Sequence, residues 1–161
     1  MPYRSNRDVL PPFQRFMDDH SAAVWRLCRA LAPPDEAEDC FQEAFLAALR
    51  AYGDLADARN LRAWVLRIAE RKAMDAHRSR MRRPRPADPV PDRALAAKDG
   101  SDPAVWGAVR ELPPKQRAAV VHRYVADLTY RDVASVMGTT EEAARQNVRE
   151  GLKKLREVLS L

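Results

Sequence analysis

The stretch NLRAWVLRIAERKAMDAHRSRMRR, from Asn60 to Arg83, has the hydrophobic period of one long helix. Its apolar residues recur at helical spacing, which predicts a core-facing side made of Leu61, Trp64, Val65, Ile68 and Ala69. A second row, here called the arginine stripe, consists of Arg67, Arg71, Asp75, Arg78 and Arg82. Because arginine binds phosphate bidentately and stacks on bases, the stripe with Trp64 at its border predicts contact with nucleic acid, above all single-stranded. A solvated face on a basic protein is the alternative.

The sequence predicts an all-α protein: its length allows one or two small domains, and the linker at 84–103 divides it into two small helical domains. The chain has 161 residues, 46% of them hydrophobic, and its 5 glycines and 12 prolines favour helices with abrupt ends over sheets. The net charge of +5 divides into +3 for residues 1–83, −1 for 84–103 and +3 for 104–161. Two basic bodies joined by a slightly acidic segment predict two contacts with one polyanion.

The sequence predicts neither secretion nor membrane insertion. The N-terminus lacks the apolar run of a signal peptide, and no segment approaches the ~20 apolar residues of a membrane span. Cys28 and Cys40 match no metal-ligand spacing, so we expect small, buried, reduced side chains. A redox bridge between them across the turn at 31–36 is the alternative. We expect no metal and no cofactor.

The first half of the chain predicts two further helices before the long one. After a loose arm at 1–12, an apolar row ends at Pro33-Pro34, and Asp35 with Glu38 predicts a capping box for a helix over 36–51. One side of that helix packs inward. The other side, here called the acidic face, consists of Asp39, Gln42, Glu43 and Leu46. Such a face suits a basic partner protein, with plain solvation as the alternative.

A proline-rich segment divides the chain. Five of the 12 prolines lie in PRPADPVPDRALAAKDGSDP, residues 84–103, which predicts an extended linker. The domains are therefore expected at 1–83 and 104–161.

The second domain is predicted to contain four helices: 104–111, 115–127, one ending at Met137, and 140–158. Val120, Val121, Tyr124, Val125 and Leu128 are expected to line the inner face of the second of them. Thr129 with Asp132, and Thr139 with Glu142, predict capped helix starts on either side of a turn at Gly138. Helix, tight turn and amphipathic second helix predict a helix-turn-helix, with a generic helical hairpin as the alternative. Its exposed residues predict base contacts by Arg145, Gln146 and Arg149, and phosphate contacts by Thr129 and Arg131.

With both domains and the linker in place, the chain resembles the extracytoplasmic-function (ECF) group of bacterial sigma factors, from Phe13 to Leu159. The resemblance rests on Ala37-Glu38-Asp39, Gln42-Glu43-Ala44-Phe45, Leu61-Arg62-Ala63-Trp64, Arg67-Ile68-Ala69, Asp75 and Arg78 in the first half, and on Leu112-Pro113, Arg117, the Tyr130 to Met137 helix and Leu155-Arg156 in the second. It implies a cytoplasmic, non-enzymatic transcription initiation subunit. Such a subunit binds the β′ coiled coil and the β subunit of core RNA polymerase, recognises the promoter −10 and −35 elements, and is in some cases held by an anti-sigma factor.

The resemblance also implies residue roles. The acidic face would dock on core polymerase. The −10 strand would be held by Arg59, Asn60, Trp64, Arg67, Arg71, Lys72, Arg78 and Arg82. The −35 element would be contacted by Thr129, Arg131, Arg145, Gln146 and Arg149. The chain departs from the family at Arg71 and Lys72, at Ala143-Ala144 and at Glu150-Gly151-Leu152. A helix-turn-helix regulator acting without polymerase, or a sigma-like interaction protein with weakened DNA binding, is the alternative.

Overall fold

The computed structural model of the chain describes residues 10–56, 58–82 and 102–160. Within them, seven α-helices and no strand are found. They are α1 (Phe13–Leu31), α2 (Ala37–Tyr52), α3 (Leu61–Arg82), α4 (Pro103–Arg110), α5 (Pro114–Val120), α6 (Tyr130–Met137) and α7 (Glu141–Leu159). The expected all-α fold is confirmed. No helix in the described ranges is both long and apolar enough to span a bilayer.

Helices α1, α2 and α3 pack on one another and form the first body. An aromatic cluster lies at one end of their core, where Phe16 contacts the rings of Phe13, Tyr52 and Trp64 at centroid distances of 5.5, 5.0 and 5.8 Å. The Tyr52 hydroxyl donates a hydrogen bond to the Pro11 carbonyl at 2.6 Å. Residues 10–12 are thus fixed to the body, contrary to the loose arm expected for 1–12, while residues 1–9 lie outside the description.

The turn between α1 and α2 differs from its sequence prediction. A 3₁₀ turn over Pro34–Glu36 precedes α2, and no side chain caps that helix, so the predicted Asp35–Glu38 capping box is wrong. The reason is a stronger partner for Asp35: its carboxylate accepts a hydrogen bond from Arg80 of α3 at 2.6 Å. This ion pair joins the turn to the long helix, and Asp35 does not cap α2.

Helices α4 to α7 form the second body. Thr129 caps α6, accepting from the Asp132 amide at 3.2 Å, and Gly138 ends it in the left-handed conformation with φ of 63°, both as predicted. The cap of α7 is Thr140 rather than Thr139, because Thr140 has the extended backbone and accepts from the Ala143 amide at 3.1 Å. The predicted helix-turn-helix is present, one residue displaced at its second cap.

The helix predicted over 115–127 is α5 followed by a π-helical turn, Val121–Val125. Because the wider turn rotates its side chains, Tyr124 is exposed, contrary to the inward position predicted, and His122 is fully buried instead. At the other end of the body, Asp102 caps α4 through the Ala104 amide, so Pro103 belongs to a helix and not to the predicted linker. The remaining linker prediction, from Pro84 onward, lies outside the described residues.

Candidate nucleic-acid interface

The arginine stripe is exposed along the whole of α3. Arg67, Arg71, Asp75, Arg78 and Arg82 all face solvent, while Val65, Leu66, Ala69 and Ala73 are buried beneath them. Arg78 lies 3.7 Å from Asp75, so one negative charge within the stripe is neutralised by its neighbour. From Arg67 to Arg82 the exposed guanidinium groups extend along about 23 Å of helix, at 1.5 Å per residue. Such a row is suited to a phosphate backbone.

Asn60 and Trp64 lie at the N-terminal end of this helix, and each contributes to the fold. The Asn60 side chain caps α3 by accepting from the Ala63 amide at 3.0 Å. Trp64 is half-buried between Phe16 and Tyr52, at centroid distances of 5.8 and 6.3 Å. One side of the Trp64 indole is thus committed to the core, and the rest is available to a ligand.

Candidate −10 residues and candidate −35 residues line the same groove. A cavity of about 740 Å³ separates the start of α3 from α6. Its lining includes Arg59, Asn60, Trp64 and Arg67 from the −10 set and Thr129 and Arg131 from the −35 set. The second body therefore lies against the surface of the first that carries these four candidate −10 residues.

Three side chains of the first body reach across that groove. Asn60 donates to the Asp132 carboxylate at 2.8 Å, and Arg67 donates to the Ser135 carbonyl at 2.6 Å. Arg62 donates to the Ala126 carbonyl through Nε at 2.7 Å. Two of these donors, Asn60 and Arg67, are candidate −10 residues. The sequence places Arg62 in the Leu61-Arg62-Ala63-Trp64 motif but gave no signal of this contact, because its partner lies 64 positions away.

Behind the groove the two bodies are joined by buried and partly buried polar groups. His122 Nε2 lies 3.3 Å from the Glu70 carboxylate, with the imidazole fully buried. Arg110 donates to the Arg29 carbonyl at 3.2 Å, and the Arg29 guanidinium lies 5.4 Å from the centroid of Trp106. These contacts make the described form a closed one, in which the two bodies are directly packed.

The acidic face of α2 is separate from this closure. Asp39, Gln42, Glu43 and Leu46 are all exposed, and Leu49 extends the apolar part of the surface. Lys72, which the sequence placed with the −10 residues, lies 3.6 Å from Glu43 and so belongs to this side of the body. An exposed surface that combines acidic and aliphatic side chains is suited to a protein partner.

On α7 the candidate base-reading residues are exposed and linked to one another. Arg149 donates to Gln146 at 2.6 Å, and Gln146 donates to Glu150 at 3.1 Å. Arg145 pairs with Glu141 at 2.5 Å and lies over the Tyr130 ring. Thr129, predicted to contact phosphate, donates its hydroxyl to Asp132. These side chains are ordered by local partners that DNA would have to replace.

Nothing in the described ranges indicates a metal centre, since no group of three or more His, Cys, Asp or Glu side chains is placed to hold an ion. The features of this surface are instead exposed guanidinium groups, a half-buried indole and a helix-turn-helix.

Comparison with known proteins agrees with these features. Residues 16–83 match the family model for sigma-70 region 2, and residues 104–155 match that for sigma-70 region 4. The chain is 32% identical to the RNA polymerase sigma factor CarQ of Myxococcus xanthus, over 76% of this chain and 74% of that protein. It is 25% identical to the RNA polymerase sigma-E factor of Streptomyces avermitilis, over 91% of this chain and 84% of that protein.

Solved structures show the same fold. The sigma factor RpoE of Bartonella quintana, in complex with the anti-sigma factor NepR, superposes with a TM-score of 0.75 at 19% identity, covering 92% of this chain and 97% of that one. CnrH, in complex with the cytosolic domain of CnrY, gives a TM-score of 0.72 at 23% identity, covering 92% and 87%. Two family models in the expected order, together with these relatives, identify the chain as a member of the ECF group of sigma-70 family RNA polymerase sigma factors, which initiate transcription.

Proposed function

We propose that this sigma factor docks on core polymerase through the acidic face, and that its two DNA-binding bodies, 1–83 and 104–161, separate on the way to the promoter. The observation that carries the proposal is the contrast between two surfaces. The acidic face is exposed in the closed form. Asn60 and Arg67, two of the candidate −10 residues, instead donate hydrogen bonds to the second body. Core polymerase can therefore reach the acidic face of the closed form first, whereas the promoter strand cannot reach these two candidate −10 residues.

The distance between promoter elements supports the separation. Elements centred at −10 and −35 are about 25 base pairs apart, or ~85 Å at ~3.4 Å per base pair. A compact chain of 161 residues has a radius of gyration of about 15 Å and a diameter of about 40 Å. The closed form is therefore too small to contact both elements. The proline-rich segment at 84–102, if extended at ~3.1 Å per residue, adds up to about 60 Å.

Once open, the stripe and Trp64 would hold the unpaired −10 strand. Guanidinium groups bind its phosphates, and stacking on the indole offsets the few kcal/mol needed to unstack a base. On the other body, the exposed part of α7 would enter the major groove at −35. There Arg145 and Arg149 can bond guanine and Gln146 can bond adenine. The chain acts without catalysis of its own, in the cytoplasm, and an anti-sigma factor is a further partner that we infer from the family.

Charge reversal tests the docking surface. The variant Asp39→Arg with Glu43→Arg is expected to lose most of its affinity for purified core polymerase, measured by fluorescence anisotropy. The matched control reverses Asp18 and Asp19, two exposed acidic residues of α1. Equal affinity of the two variants for core polymerase would exclude the acidic face as the docking surface.

A further inference from the structure

Cys28 of α1 and Cys40 of α2 face each other across the core of the first body. Their Sγ atoms lie 3.3 Å apart, and both residues are buried, with 0% and 4% of their surface exposed. Neither is in a disulfide. Two buried thiols in van der Waals contact, 12 positions apart on neighbouring helices, need only a small movement to reach the ~2.05 Å of a disulfide bond.

Cys40 is also next to a route from solvent. It lines a pocket of about 330 Å³ whose other walls include Asp39, Glu43 and Lys72. A pocket of this size admits a small oxidant beside the sulfur. Cys28 does not line this pocket.

The two thiols differ in acidity. The hydrogen bond with Cys28 holds the pKa of Cys40 below its ordinary value, and the Lys72 ammonium acts in the same direction, against burial and the carboxylates of Glu43 and Glu36. The same hydrogen bond, together with burial, raises the pKa of Cys28. Because the thiolate is the nucleophile, Cys40 is the member of the pair that reacts first.

We propose that Cys28 and Cys40 are a reversible oxidation site for hydroperoxides, which closes a disulfide between α1 and α2. The Cys40 thiolate attacks the O–O bond of the peroxide, forming a sulfenic acid and releasing hydroxide. The Cys28 sulfur then attacks the sulfenic sulfur, its proton and the hydroxyl leaving as water. In sum, two thiols and one hydrogen peroxide give one disulfide and two waters.

The disulfide is expected to alter the acidic face, which is the proposed docking surface for core polymerase. Cys40 is adjacent to Asp39 and lies within one helical turn of Glu43, so shortening the sulfur–sulfur distance by over 1 Å shifts α2 beneath the acidic face. This consequence rests on the docking role proposed above. We expect the oxidised protein to bind core polymerase several-fold more weakly than the reduced protein, with recovery on addition of dithiothreitol.

The chemistry is tested on the native full-length chain. After treatment with hydrogen peroxide, peptide mass spectrometry without reductant is expected to show the Cys28–Cys40 cross-link. In Cys28→Ala, Cys40 is expected to accumulate as a sulfenic acid that a dimedone probe traps, whereas Cys28 in Cys40→Ala resists the probe. Circular dichroism confirms that each variant is folded. A cross-link that forms only in urea, or faster labelling of Cys28 than of Cys40, would overturn the site.

The consequence is tested by titrating core polymerase with the reduced and oxidised wild type and with both alanine variants. Peroxide is expected to weaken binding by the wild type alone. If the reduced protein fails to bind core polymerase, the proposed docking function is wrong. If the reduced protein binds and the cross-linked protein binds equally well, the docking function stands and the regulatory consequence of the disulfide is refuted.

Discussion

The side-chain amide of Asn60, the residue that caps α3, donates a hydrogen bond to the Asp132 carboxylate of α6 at 2.8 Å, so a residue expected to hold the −10 strand is bound to the helix that begins the helix-turn-helix. Arg62 and Arg67 cross the same boundary to backbone carbonyls of Ala126 and Ser135. Two of the three donors that hold the closed arrangement, Asn60 and Arg67, are therefore also proposed to bind promoter DNA.

Removing two of these donors is expected to open the protein. In Arg62→Ala with Arg67→Ala, two carbonyls lose charged partners, each such bond being worth about 1.5–3 kcal/mol. The radius of gyration from small-angle X-ray scattering is expected to rise above the ~15 Å of a compact chain. The control Arg78→Ala with Arg82→Ala removes the same charge from the same helix, and Arg78 pairs only with Asp75 of α3 among the ion pairs of the described chain. Identical scattering by both variants would show that these donors do not hold the bodies together.

Gly151 is expected to be required for the packing of α7 on α5. A Cβ at this position would lie 2.7 Å from Val120 Cγ2 and 3.4 Å from the Gln116 carbonyl oxygen. Overpacking by one methyl group costs about 1–3 kcal/mol, which outweighs the ~0.5–1 kcal/mol that alanine gains over glycine in a helix. Gly151→Ala should therefore lower the urea midpoint of unfolding. In Gly107→Ala, with nothing within 4 Å of the new Cβ, the midpoint should rise. A midpoint that rises in both variants would contradict the close contact.

The protonation of His20 is expected to weaken the fold. Burial lowers the pKa of His20 from its ordinary value of 6.5, with Arg62 adding to the effect and Asp19 opposing it. Because the folded state favours the neutral imidazole, the contribution of His20 to stability is present above the ordinary pKa and is lost as pH falls below it. Denaturant unfolding between about pH 5 and 7 is expected to show a steeper loss of stability in the wild type than in His20→Gln. If the stability of the wild type and of His20→Gln falls equally with pH, the pH dependence belongs to groups other than His20.

Gln146 is expected to read a base at −35. Loss of a bidentate contact to adenine costs about 1–3 kcal/mol of discrimination at one position. Selection of binding sites from random DNA by the holoenzyme should therefore give Gln146→Ala a relaxed −35 preference at that position. Lys153→Ala, at an exposed position two turns further along α7, is the control and should keep the wild-type motif. The same motif from wild type and Gln146→Ala would show that Gln146 reads no base.

The sequence predicted those features that are repeated within one helix. The arginine stripe and the acidic face follow the helical period, and both are exposed as that period requires. The turn at Gly138 was predicted because glycine favours the left-handed conformation found there. The sequence marked Gly151 only as a departure from the family. The close approach of the neighbouring helix α5 explains the glycine at this position.

Features that depend on distant partners were not predicted. His122 and Glu70 meet 52 positions apart in sequence, and Arg62 finds a carbonyl 64 positions away. Helical periodicity describes the environment of one helix and contains no information on which body will pack against it. The inward position predicted for Tyr124 failed for a related reason, since a π-helical turn changes the period on which that prediction was based.

Run-off transcription with purified core RNA polymerase on a library of genomic promoter fragments tests the central claim most directly. We predict discrete transcripts that require both core polymerase and this protein, and that are lost with Asp39→Arg and Glu43→Arg but kept with the control reversal of Asp18 and Asp19. Transcripts that are the same with core polymerase alone as with the protein added, across a library covering the whole genome, would contradict the account.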